Sequence, residues 1–167
     1  NAWVAWCVTH TAADYQDLYI ERFKDDDPKY YLFQGQWRRA EVHHEKIKVK
    51  DAEDVDLPVW VTHHGPVISG SPNQGVGVAL KYTATERPSP WPDVLPEMLR
   101  AQNSDELMES MREWVDPCNN FLFADVQGNA GYLCRGRIPI RPMANAWLPV
   151  PGWTGEYEWQ GQIPFDE

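Results

Sequence analysis

At 167 residues and 43% hydrophobic content the chain is long and apolar enough to bury a core, which takes it out of the disordered class. Its 25 acidic residues outweigh 15 Lys and Arg, for a net charge of −10, and that balance excludes nucleic acid and an anionic membrane surface as partners. No apolar run approaches the ~18 residues of a membrane span. Cys7, Cys118 and Cys134 are widely spaced with no Cys-x-x-Cys pair, so no disulfide scaffold is expected.

Residues 3–9 are apolar and β-prone, which predicts a strand. Residues 14–23 follow a polar turn, with Leu18 and Ile20 sharing a face. Asp25, Asp26, Asp27 and Pro28 mark a solvated loop. Residues 30–37 read as a hairpin turning on Gln34-Gly35-Gln36. Ile47 and Val49 alternate with Lys46, Lys48 and Lys50, which predicts a strand over 45–50 with one wet face. Val55, Leu57, Val59 and Val61 predict another, and Pro58 places it at an edge or bulge. Gly65-Pro66 starts a turn, 69–75 is a loop, and Val76 to Tyr82 alternates again.

Four prolines between 86 and 96 argue against a regular helix there. Asn103 with Glu106 forms a capping box for a helix whose apolar face is Leu107, Met108, Met111, Trp114 and Val115, ending at Pro117. Residues 121–126 and 131–137 form a second hairpin around Gln127-Gly128-Asn129. The tail sets Pro142, Pro149, Pro151 and Pro164 among Trp147, Trp153 and Trp159, an irregular segment laid over a surface. Short alternating strands with few helices predict one α+β domain over 1–167, its sheet mostly antiparallel.

Several stretches resemble one family in order and spacing. Trp6 to Thr9 and Asp14 to Tyr19 resemble its AWGVTNTGxDxQDLY segment, Tyr31 to Trp37 its YLYxGxW hairpin, and His64 to Ser69 its RHGPVIS turn. Asn120 to Asp125 with Gly128 to Tyr132 resembles NFxYADxxGNIGY, and the match continues through Gly136 to Arg141, Leu148 to Trp153 and Glu156 to Asp166. The family is penicillin amidase, of the N-terminal-nucleophile hydrolases. The resemblance implies a piece of an αββα sandwich, cut from the β subunit of a longer enzyme. It places the chain's start some tens of residues after the serine that attacks the amide carbonyl, so Asn1 is not the nucleophile.

The same resemblance implies roles residue by residue. Asn120 stands for the oxyanion-hole asparagine, whose neutral amide donates to the tetrahedral oxyanion; read from the residues alone it is a turn-capping asparagine. His10 occupies the position whose backbone N–H is the second donor, and Arg141 that of an arginine near the active site. Asp14, Gln16 and Asp17 match a calcium segment of two carboxylates and a carbonyl. Cys7 stands where the family has glycine, which puts the local backbone in question. His43-His44 and His63-His64 are expected on strands, where adjacent residues face opposite ways and each pair offers one zinc ligand per face, too few for a site.

The implied function is part of an acylase hydrolysing linear amides, inactive by itself, with no cofactor needed for chemistry, the calcium being structural. The implied partners are the α subunit, the rest of the β subunit and a small amide substrate, in a periplasmic or secreted parent. A segment removed from its parent would bare apolar faces and is expected to dimerise. The alternative from the nine tryptophans is a non-catalytic ligand-binding β module with a Trp-rich surface.

Overall fold

The computed structural model describes residues 1–86 and 90–166, with only the backbone of Glu86 and Trp91. The fold is α+β, and its sheets are mostly antiparallel, as expected. Elements are numbered in chain order and divide between two compact units.

The first unit comprises Asn1–Tyr15, Thr83–Ile140 and Gln160–Glu167. Its main sheet is β1 (Val4–His10), β9 (Asn119–Asp125) and β10 (Ala130–Arg135), antiparallel in the order β1-β9-β10. A second, two-stranded sheet pairs β11 (Pro139–Ile140) with β13 (Gly161–Gln162). On one face of the main sheet, Val4, Phe121 and Phe123 pack against Val94, Met98, Leu107 and Met111. Each such burial contributes ~1.5–3 kcal/mol. The opposite face carries Cys7, Thr9, Asn120, Leu122 and Tyr132 and is open, with Leu122 47% and Tyr132 60% exposed.

The core residues on the helical side come from α2 (Trp91–Arg100) and α3 (Ser104–Ser110), preceded by the single turn α1 (Thr83–Glu86). The proline-rich stretch therefore does contain a helix, against expectation. Pro92 lies in the first turn of α2, where an N–H has no intrahelical partner to lose, and only Pro96 is interior. Residues 87–89 of that stretch lie outside the described residues. The cap of α3 is as expected: Asn103 Oδ1 accepts from Glu106 N at 2.9 Å. The helix is shorter than its apolar spacing suggested and passes into a 3-10 turn at Met111–Glu113, yet Trp114 and Val115 remain buried. Asp125 pins the β9–β10 turn to the start of α3, accepting from Gln127 N, Asn129 N, Ser104 N and Ser104 Oγ at 2.9–3.0 Å. Those bonds, Asn129 foremost, hold its carboxyl well below the usual range.

The second unit comprises Gln16–Tyr82 and Arg141–Trp159. Its strands are β2 (Gln16–Lys24), β3 (Asp27–Phe33), β4 (Gln36–Arg39), β5 (Glu41–Ile47), β6 (Val55–Thr62), β7 (Gly65–Ser71) and β8 (Val76–Tyr82). They run in the order β4-β3-β2-β8-β7-β6-β5, and β12 (Val150–Pro151) adds in parallel to β2. The β3–β4 hairpin turns on Gln34 and Gly35, both at positive φ, as the sequence indicated. β5 begins four residues earlier than predicted and ends at Ile47, leaving Val49 outside. β6 meets β7 only at Val61 and Thr62, so Pro58 has a paired strand on one side alone, an edge-like position.

In β2, Leu18 and Ile20 share a face, as expected, and are only half-buried, whereas Asp17, Tyr19, Glu21 and Phe23 form the buried face, so the interior of this unit holds charges. The tail is irregular, as expected, and is laced to the sheet by Gly152 N to Ile20 O at 2.9 Å and Gln34 N to Trp153 O at 2.8 Å.

Candidate functional site

In the first unit the expected site residues sit at one end of the β1–β9 pair. Thr9 is opposite Asn120, and His10 opposite Asn119. Asn120 Nδ2 donates to Thr9 Oγ1 at 3.1 Å, and its Oδ1 accepts from Tyr132 OH at 2.7 Å. The carboxamide thus bridges β1, β9 and β10 on the open face. Thr11 N donates to Cys118 O and Val126 N to Trp3 O, which fixes the phase of the ladder. Hydrogen-bonded pairs alternate in an antiparallel ladder, so the even-numbered residues of β1 turn their N–H away from β9. His10 N–H consequently points out along the open side of β1, the outer strand of this sheet.

Cys7 lies in regular β1 backbone opposite Leu122, so the departure from glycine leaves the strand intact. All three cysteines are free thiols. Cys118 and Cys134 place their sulfurs 3.8 Å apart, and burial, then the neighbouring thiol, pushes Cys118 up to about 11.

In the second unit the acids of β2 organise two joined networks. Asp17 Oδ2 lies 2.9 Å from Arg141 Nε and accepts from Asn145 Nδ2 at 3.3 Å and from Trp159 Nε1. The Asp17 side chain is fully buried and that of Arg141 is 8% exposed. Asn145 Nδ2 also donates to Tyr19 OH at 3.0 Å, and Tyr19 OH donates to Tyr157 O at 2.6 Å. Burial, then the charges of Asp17 and Glu158, push the Tyr19 hydroxyl up, so it stays protonated.

The Tyr19 ring stacks on His64 with centroids 3.8 Å apart. His64 Nδ1 is 2.7 Å from Glu21 Oε1, and Nε2 is 2.7 Å from Glu158 Oε1. Glu21 Oε1 also accepts from Thr62 Oγ1 at 2.7 Å. Burial alone would lower the pKa of His64; its bonds to Glu158 and Glu21 outweigh that and raise it. Burial would raise Glu158, but its bonds to His63 and His64 hold it well below the carboxylate range. Gly152 is required beside this array, because an added Cβ would sit 2.6 Å from Glu21 Oε2.

These placements revise two expectations. Asp14 lies in the loop after β1 and Gln16 at the start of β2, both exposed, but Asp17 already has a buried guanidinium as its counter-charge. That arrangement does not fit a calcium ion at Asp17, which would have to displace Arg141. Arg141, for its part, is placed against Asp17. His63 and His64 are not strand neighbours either. They form the turn between β6 and β7, and their rings converge to 3.8 Å between centroids. His43 and His44 do lie on strand β5 and bond separately to Glu41 and Asp56. Of the tail tryptophans, Trp153 stacks under Arg22 and Trp159 bonds Asp17, while Trp147 is exposed. Sequence reading missed Glu21 and Glu158, which no local pattern singles out.

The penicillin amidase family model matches residues 1–167. Penicillin acylase 2 proenzyme of Pseudomonas sp. (strain SE83) is 37% identical over 166 residues, covering 99% of this chain and 21% of that protein. Acyl-homoserine lactone acylase QuiP of Pseudomonas fluorescens is 32% identical over 177 residues, covering 100% of this chain and 22% of that protein. The solved structure of thermostable penicillin G acylase from Alcaligenes faecalis superposes with a TM-score of 0.85 at 28% identity, covering 99% of this chain and 30% of that one. The chain thus spans about a fifth of the length of the curated relatives it matches.

Two outcomes test the charged networks in the full protein. Arg141→Met leaves Asp17 buried without its cation and is expected to cost ~3–5 kcal/mol in urea unfolding; a loss below about 1 kcal/mol would show that the pair contributes little. For His64 the folded pKa is raised, so its stabilisation is complete below about pH 6.5 and is lost as pH rises through the folded value. The lowered Glu158 contributes above about pH 4.3 and loses that as pH falls. The Tm difference between the parent and Glu158→Gln, measured in EDTA, should therefore be largest near pH 5.5 and shrink toward pH 9. An unchanged difference from pH 6 to 9 would contradict a charged His64.

Proposed function

Because this chain belongs to the penicillin amidase family, we propose that it is part of an acylase that hydrolyses linear amide bonds of penicillin-type or acyl-homoserine-lactone substrates, contributing scaffold and one oxyanion contact rather than the attacking group. The observation that carries this reading is the backbone likeness to a penicillin G acylase over 99% of the chain. The side chains support the division of labour. Histidine bonds run to carboxylates or to Tyr31, as with His64 to Glu21 and Glu158 and His63 to Tyr31, and none of these aims an imidazole at a serine or cysteine.

In the proposed reaction a hydroxyl from another part of the protein attacks the amide carbonyl. The amine leaves with a proton, and water then hydrolyses the acyl ester. His10 N–H, directed off the open side of β1, is suited to donate to the oxyanion of the tetrahedral intermediate. Asn120 we assign a positioning role: with Oδ1 bonded to Tyr132 and Nδ2 to Thr9, it holds β1 in register and so aims the His10 backbone.

The full protein should hydrolyse a chromogenic phenylacetyl amide or an N-acyl-homoserine lactone, and residues 1–167 alone should not. A folded full protein inert to both substrate types would remove the acylase reading; turnover by the segment alone would place the nucleophile inside it. Asn120→Ala is expected to lower Tm and reduce kcat less than tenfold. A kcat loss of about 10²–10³ with Tm unchanged would instead make the Asn120 amide an oxyanion donor.

A further inference from the structure

The His63–His64 turn carries a feature that amide hydrolysis does not use. One ligand atom each from His63, His64 and Glu158 lies within 4.8 Å of the others. His64 sits between two carboxylates, and His63 Nε2 faces the same oxygen of one of them, Glu158 Oε1, at 3.7 Å, so two imidazoles converge on a single carboxylate.

The surroundings of the three groups match what a bound metal needs. The Nδ1 of each imidazole is already held from behind, that of His64 by Glu21 Oε1 at 2.7 Å and that of His63 by Tyr31 OH at 3.0 Å. Both Nε2 atoms are thereby directed at the same carboxylate oxygen. A carboxylate behind a ligating histidine is the usual outer partner that orients the ring and raises its basicity. Stacking of Tyr19 on His64 fixes the plane of that ring. The His64 and Glu21 side chains are fully buried, whereas those of His63 and Glu158 are 25% and 30% exposed, so the three groups can be approached from solvent.

We propose that His63 Nε2, His64 Nε2 and the Glu158 carboxylate form a zinc site of the two-histidine, one-glutamate kind, completed by water. Two imidazoles and a carboxylate suit zinc, with bonds of ~2.0–2.1 Å in a tetrahedron. Such bonds set ligand atoms roughly 3.3 Å apart, so the 2.7 Å contact between His64 and Glu158 opens slightly while the 3.7 Å contact from His63 closes. In the metal-free protein a proton on His64 Nε2 bonds Glu158; zinc takes its place and that proton goes to solvent. The Nδ1 proton stays on the bond to Glu21. The ion then ties the tail at Glu158 to the β6–β7 turn.

The test uses the full protein, stripped with chelator and titrated with Co²⁺ alone as the probe, which absorbs visibly when tetrahedrally held. One equivalent should develop this absorption and Zn²⁺ should displace it. His63→Arg sets a guanidinium beside Glu158 and places the residue of the quoted RHGPVIS turn at that position; it should fold with an unchanged Tm in chelator and lose the band. Tyr31→Phe should weaken binding about 10–100-fold. The double variant His43→Ala/His44→Ala should bind as the parent does. Absence of any band, its persistence in His63→Arg, or its loss in the His43/His44 variant would overturn the proposal. If His63→Arg fails to fold, the same readout in His63→Ala decides.

Discussion

The buried ion pair between Asp17 and Arg141 is the constraint on which the second unit depends. An isolated carboxylate in a protein interior is costly enough that it must find a cation or stay neutral. β2 buries two, Asp17 and Glu21, on the same face with only Tyr19 between them. One is matched by Arg141 and the other by His64. Arg141, Asn145, Tyr157, Glu158 and Trp159 all reach this face from the returning segment. A proline-rich stretch with hardly any regular structure is thereby held in one conformation. What positions it is the electrostatic demand of the strand beneath, with two short parallel pairs at β12 adding backbone bonds.

The two acids are matched by cations of different kinds. Guanidinium does not give up its proton in proteins, so the charge opposite Asp17 is permanent. Imidazolium exchanges its proton near neutral pH. The Glu21–His64–Glu158 array can therefore exist with a proton or with a metal at the same atom. One strand face thus supports a fixed pair and an exchangeable one, separated by the ring of Tyr19.

The first unit rests on a different balance. Its sheet is covered on one face by α2 and α3 through a cluster of apolar side chains, with Asp125 bonded to the start of α3. The other face keeps Thr9, Asn120 and Tyr132 in a hydrogen-bonded row beside exposed Leu122. The outer strand β1 presents N–H groups with no ladder partner in this sheet. Open edges and half-apolar faces are liabilities in an isolated domain. The chain spans about a fifth of its relatives' length.

Local patterns in the sequence determined a good part of this. The Gln34-Gly35 turn, the Asn103 cap, the Gln127-Gly128-Asn129 hairpin, the alternation of Val76 to Tyr82 and the α+β class follow from short-range rules of turn geometry, capping and periodicity. The ordered motifs determined the family. Where those rules failed, tertiary contacts decided. Leu18 and Ile20 share a face of β2, as the sequence indicated, but the buried face is the other one, with Asp17 and Glu21. Asp17 and Glu21 can face inward because distant segments bring them partners, Arg141 to Asp17 and His64 to Glu21. α2 forms despite its prolines because Val94 and Met98 bury against β9 and β1. His63 and His64 point together because the chain turns between them, a placement no strand-based reading provides. Local propensity operates over a few residues, whereas the neutralisation of a buried charge depends on whichever distant group the fold delivers, and only the folded chain specifies which group that is.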